Sequence, residues 1–261
     1  MSPLWALPLG LVVGLTLGAL GGGGGILTVP ALVYLLGQDP RDATTGSLII
    51  VGASALVGLV PHRRAGHIRP GAGLVFGALG LAGSWVGSRL SRSVDPDVLS
   101  VAFAVLMLVV AALMVRKLRG SATAVPPHES TGRMDARRVV ALVLTASGIG
   151  FLTGFFGVGG GFAVVPALTL VLGFPMRAAV GTSLVVIAVN SATALASRAA
   201  MGTGPLDWPL LATFGAGAIV GSLLGGRFSA GANPRHLGHA FIVMLVVIAA
   251  YMLVQNVPRV G

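Results

Sequence analysis

The chain has no cysteine among its 261 residues, and only 9% of it is charged. The first absence excludes a disulfide framework, a thiolate metal site and a cysteine nucleophile, and it leaves the redox compartment unread. The second excludes an ordinary soluble domain, in which charged residues make up about a quarter of the sequence. Acidic residues are the scarcest class, seven Asp and Glu against seventeen Lys and Arg, for a net charge of +10. All seven, Asp39, Asp42, Asp95, Asp97, Glu129, Asp135 and Asp207, fall in expected loops or at span ends. That leaves no carboxylate inside a membrane span to bind a cation or relay a proton, which weakens both readings. Enzyme signatures are missing as well: there is no G-x-S-x-G, H-E-x-x-H, G-x-G-x-x-G or G-x-x-x-x-G-K-[ST]. The expectation is therefore a protein that is not an enzyme, has no metal or cofactor, and does not drive transport by its own ATP hydrolysis.

What is present is apolar. Hydrophobic residues make up 55% of the chain, glycine contributes 40 residues, and the mean hydropathy is +0.94. The composition is that of an all-α multi-pass membrane protein, expected in the cytoplasmic membrane. The basic residues lie between apolar segments, so they speak for orientation in a lipid bilayer and not for nucleic acid. Candidate spans of about 20 residues are 3–20, 43–61, 70–88 and 98–115 in the first half and 139–156, 178–197, 208–226 and 237–254 in the second. Each half also holds a shorter apolar piece, 26–37 and 162–173. Twelve residues make a helix of about 18 Å against a hydrocarbon core of ~30 Å, so neither crosses alone.

The chain repeats itself. Gly21 to Leu32 (GGGGGILTVPAL) returns 136 residues later as Gly157 to Leu168 (GVGGGFAVVPAL), identical at eight of twelve positions. Arg41/Arg177, Ala43/Ala179, Ser47/Ser183 and Leu48/Leu184 pair at the same offset, and GSWVGSRLS at Gly83 pairs with GSLLGGRFS at Gly221. The expected division is a first repeat over 1–116, a basic Pro-bearing cytoplasmic linker over 117–136, and a second repeat over 137–261. If each glycine cluster turns the chain back inside the membrane, a half has three crossings and a re-entrant hairpin, and the second half is inverted. If instead each break lies within one long span, the halves are parallel. Counting Lys and Arg on the cytoplasmic side gives twelve of seventeen for the inverted arrangement and eleven for the parallel one. Charge fixes orientation and does not choose between them.

Paired Gly/Pro-interrupted segments in an apolar chain mark a transporter's binding site. Glycine amides that no side chain shields, followed by a helix N-terminus, suit an anion. The candidates are Gly23, Gly24 and Gly25 with Pro30, and Gly159, Gly160 and Gly161 with Pro166, both prolines being expected in the first turn of the short helices. Hydroxyls at Ser47, Thr182 and Ser183 and the amide of Asn190 would donate to the same anion, and Arg89 and Arg227 recur at matched places suited to two vestibules. The plainer account of any single glycine is backbone packing, of a hydroxyl a bond to its own helix, and of a terminal arginine an anchor among headgroups. Glycines four apart, Gly73/Gly77, Gly83/Gly87 and Gly217/Gly221/Gly225, are expected to serve close helix contact. The stretch His62 to Arg69 (HRRAGHIR) is expected to be a cytoplasmic anchoring loop.

The paired GGGGGILTVPAL and GVGGGFAVVPAL blocks, the downstream ATTGSL and AVGTSL, the turns RRAGHI and RAAMGTGPLDW and the repeated G-S-x-x-G-x-R together resemble the sulfite exporter TauE/SafE family, over essentially the whole chain. That resemblance implies a multi-pass permease moving small sulfur-containing anions, such as sulfite or organosulfonates, often outward. The first repeat departs from the family's G-T-S-L, which falls on Gly181–Leu184, by reading Thr45, Gly46, Ser47, Leu48. The expected partners are a small anion, a coupling ion (H+ or Na+), lipid, and a second copy in a homodimer. The rival functions are a passive anion channel, a carrier of another anion, and a non-transporting membrane subunit.

Overall fold

The computed structural model describes residues 5–91, 94, 96–120, 136–156, 161–200 and 206–260. Helix is the only regular secondary structure among the described residues. The first half runs α1 (Ala6–Leu20), α2 (Gly23–Pro30, continued by a π-helical turn over Ala31–Leu35), α3 (Pro40–Arg64), α4 (Pro70–Ser91) and α5 (Pro96–Gly120). The second runs α6 (Ala136–Phe156), α7 (Gly161–Leu170), α8 (Met176–Ala200), α9 (Trp208–Gly231) and α10 (Pro234–Val260). Five helices thus follow in the same long-short-long-long-long order twice.

Among the described residues, six helices are long and apolar enough to cross a membrane: those bearing 42–64, 70–87, 101–120, 176–196, 208–231 and 234–254. Sequence reading anticipates eight such segments. The first helix of each half falls short, because Gly21 ends α1 after fifteen residues and the apolar described part of α6 spans only Val143–Leu152.

Helices pack in a pattern unchanged when the halves are exchanged: α1 lies on α9 as α6 lies on α4, while α3 meets α8, α5 meets α10 and α2 meets α7. The tightest contacts are made by glycine. A Cβ added at Gly10, Gly14 or Gly18 of α1 would overlap the carbonyls of Phe214, Ala218 or Ser222, and one at Gly217, Gly221 or Gly225 those of Leu7, Leu11 or Leu15. The α4–α6 seam repeats this, with Gly83 and Gly87 against Ser147 and Phe151, and Gly150 against Gly80. Without an oil–water difference to drive helices together in lipid, such close approach of backbones supplies the packing energy. The constant offset along each ladder means that α1 and α9 run parallel, as do α4 and α6. By contrast, Gly52 meets Ser191, Gly58 meets Leu184 and Gly181 meets His62, so α3 and α8 run antiparallel.

These directions sort the polar ends. Pro61 at the end of α3 touches Gly226 near the end of α9, the Arg177 side chain at the start of α8 donates to the Ala232 carbonyl, and Lys117 near the end of α5 donates to the Thr169 carbonyl. One end therefore carries Arg63, Arg64, Arg177 and Lys117. The opposite end carries Asp42 at the start of α3, Asp207 at the start of α9, and the exposed Trp5, Tyr34, Trp85 and Trp208. Basic residues on one side and Trp/Tyr at an interface are the marks of a membrane-embedded bundle.

Candidate functional site

The site is built around the break between α1 and α2. Gly21 adopts a left-handed conformation (φ 71°), which a side chain would strain, and its N–H closes α1 on the Leu17 carbonyl. The chain then doubles back, so that a Cβ on Gly24 would overlap Leu17 and come within 2.7 Å of the Val13 carbonyl. Gly25 is looser, with only Val51 Cγ1 near, at 3.9 Å. No side chain caps the start of α2, so the amides of its first turn, which begins at Gly23, lack an intrahelical acceptor.

The other half of the molecule holds this break in place. Ser183 of α8 is fully buried, and its hydroxyl lies between the Val180 carbonyl at 2.7 Å and the Gly21 carbonyl. The second repeat's G-T-S-L thus grips the first repeat's glycine cluster. Thr182, also fully buried, accepts from the Arg69 amide at 3.2 Å, which ties the start of α4 to α8. Ser47, the counterpart of Ser183, is buried and donates to the Thr44 carbonyl at 2.8 Å. Its cross-repeat partner would be Gly157, and with Gly159 and Gly160 this lies outside the described residues. Gly161 is the first residue of α7.

The remaining candidates lie further off. Asn190 is half-buried on α8 beside Gly77 of α4, and its Oδ1 is sealed from solvent without a partner. Pro30 and Pro166 are not in the first turn as expected: the short helices begin at the glycines themselves, which places Pro30 last in the α-helical part of α2 and Pro166 sixth in α7. Ahead of Pro30 no amide bonds back to Ile26, and the helix loosens into its π turn there. Pro166 lines an apolar pocket of about 130 Å³ with Leu106, Val110, Ile149 and Leu152, a poor setting for an anion. Arg89 is exposed and stacks on Trp85, 3.8 Å from the ring, and Arg227 is exposed near the end of α9.

The sequence reading of His62 as part of an anchoring loop is corrected. His62 is wholly buried in the last turn of α3, its Nε2 3.1 Å from the Gly18 carbonyl of α1. The flanking Arg63 and Arg64 are exposed, and their charge suggested a surface run. The helical phase carried the better signal, because Val51, Ala55, Gly58 and His62 share one buried face. His67, in the α3–α4 loop, has its pKa lowered by burial and, second, by the charge of Arg177.

The family model described as "Sulfite exporter TauE/SafE" matches residues 6–252. The chain belongs to this family. Among curated relatives, a "probable membrane transporter protein" of Xylella fastidiosa (strain 9a5c) is 34% identical over 251 residues, covering 94% of this chain and 92% of that one. The "probable membrane transporter protein YunE" of Bacillus subtilis is 26% identical, covering 98% and 99%, and a relative of the same description in Methanocaldococcus jannaschii is 25% identical, covering 96% of each. No solved structure matches. This TauE/SafE chain is a multi-pass membrane transporter.

In it, Ser183→Ala is expected to destabilise the fold by ~1–3 kcal/mol, since the buried Gly21 carbonyl loses its donor. A lowered midpoint in thermal unfolding of the purified protein would register this, and an unchanged midpoint would mean that the contact does not hold the break.

Proposed function

We propose that the protein is a secondary transporter of small sulfur-containing anions, sulfite or organosulfonates, which exports them across the cytoplasmic membrane, and that its halves are inverted with respect to each other. The observation that carries the reading is the cross-repeat grip: a glycine break with an uncapped helix start, fastened by the other repeat's Ser183, in a bundle whose described acidic residues all stand at helix starts. Donors without carboxylates favour an anion over a cation. A single helix start contributes ~0.3–1 kcal/mol, more when partly buried, so the guest must draw on several groups at once. The amides of Gly23–Gly25, with Gly159–Gly161 of the second break, and the polar groups of Thr182 and Asn190 are the proposed binding set.

Inversion is supported by the antiparallel course of the counterparts α3 and α8, by the doubled-back α1–α2 pair, and by a count of three long helices in each half among the described residues. A site at the seam of two inverted repeats is reached from either side as one repeat rocks on the other.

The test is uptake of radiolabelled sulfite into proteoliposomes, with and without an imposed pH gradient and with unlabelled sulfonates as competitors. Saturable, gradient-dependent uptake is expected. Uptake no greater than in empty liposomes, from protein shown to be folded and inserted, would remove sulfite as cargo.

A further inference from the structure

In the described spans of a chain with so few acids, His62 is a fully buried titratable side chain set against the break itself. Its Nε2 points at the Gly18 carbonyl, an oxygen in the last turn of α1, three residues before Gly21. That oxygen can only accept, so Nε2 carries the hydrogen and the neutral ring has a bare lone pair on Nδ1. Nδ1 is sealed from solvent and has no hydrogen-bond partner. Leaving such a buried acceptor unmet is costly unless it serves a purpose, and a proton is the smallest guest it accepts.

The surroundings suit a site that charges and discharges. The carbonyl end of α1, with its partial negative charge, stabilises an imidazolium. Against that stand the groups around it. The loop contributes His67, whose own Nδ1 is also buried and unpartnered, and Arg69, turned onto the Phe174 ring. From α8 comes Arg177, engaged with the Gly231 and Ala232 carbonyls, and from α9 the exposed Arg227. The exposed Arg63 and Arg64 follow on α3, and neither α1 nor α2 has an ionisable residue. His62 is thus the buried member of a cationic rim, with no carboxylate facing it among the described residues.

We propose that Nδ1 of His62 is the proton-binding site that couples anion occupancy of the α1–α2 break to pH, so that proton binding and anion binding favour each other. The proposal rests on the anion-transport reading above. An imidazolium one helical turn from the break attracts an anion at the start of α2, and by reciprocity a bound anion raises the proton affinity of His62 by the same factor. No bond other than N–H forms or breaks.

The experiment titrates the five histidines by NMR in labelled full-length protein, with and without methanesulfonate, which stays a monoanion over the range used whereas sulfite itself gains a proton. His62 is assigned by loss of its signal in His62→Gln or, if that variant does not insert, by elimination with single variants at the other four. Uptake of methanesulfonate is measured in parallel at pH 6 and pH 8, with equal pH on both sides. The expected result is a His62 midpoint that rises by ~0.7 units with saturating anion, the shift for roughly fivefold coupling. Uptake about fivefold or more greater at pH 6 should accompany it, falling to near equality in His62→Gln and persisting in His236→Gln. A His62 that does not titrate between pH 4 and 9, a midpoint unmoved by a transported anion, or a pH ratio retained in His62→Gln overturns the proposal. If His62 titrates but neither methanesulfonate nor sulfite is transported, the coupling is overturned, and the fault lies in the anion reading and not in the proton site.

Discussion

Gly14→Ala should be the most damaging single-methyl change in this protein. The new Cβ would overlap the Ala218 carbonyl and lie 2.6 Å from the Ala218 Cα, so the obstacle is backbone and no rotamer relieves it. The two helices must part, and because Gly10, Gly18, Gly217, Gly221 and Gly225 make equivalent contacts on the same seam, parting at one rung loosens the others. Overpacking costs 1–3 kcal/mol in cores that can adjust. Here about 3 kcal/mol or more is expected, read as a large fall in the thermal midpoint and in the yield of monodisperse protein. Gly148→Ala is the matched control, since a Cβ there meets nothing within 4 Å. Equal stability of the two variants would show that the ladder does not hold α1 to α9.

Much of this architecture was legible in the sequence because it depends on local chemistry. Glycine runs announce a break, four-residue glycine spacing announces a backbone contact, and the duplication announces that whatever the first half does, the second repeats. The ladders at Gly83/Gly87 and Gly217/Gly221/Gly225 bear out the spacing. What the sequence hid depends on partners distant along the chain. Charge counting balanced twelve against eleven because it sees only loop sides. The direction of α3 relative to α8 is a matter of which residues touch, Gly52 with Ser191 and Gly58 with Leu184. Pro30 and Pro166 misled because proline favours a first turn only if the helix starts beside it, and the glycines preceding them turned out to be helical. His62 was read with its charged neighbours when the opposite face of the same turn was buried. Ser54 and Ser222 gave no signal at all: only the assembled fold places the Ser222 hydroxyl 2.7 Å from the Ser54 carbonyl across α3 and α9.

The geometry also decides which glycine tests the anion site. Gly24 is a poor choice, because any side chain there collides with Leu17 and Val13 and a loss of flux would report only a loss of packing. Gly25 separates the two effects. Its added Cβ would meet Val51 Cγ1 alone, at ordinary van der Waals distance, and alanine in a helix is favoured over glycine by ~0.5–1 kcal/mol, so Gly25→Ala should fold at least as well as the parent. If the anion sits against the first-turn amides, that methyl occupies the space it needs and displaces it from the amide hydrogens. Transport should then fall by about tenfold or more, the equivalent of ~1.4 kcal/mol of lost binding. Flux is measured in proteoliposomes at matched protein incorporation, with thermal unfolding on the same preparation. Full flux in a well-folded Gly25→Ala protein would move the anion away from the start of α2, leaving the glycines there with the single task of letting the chain turn.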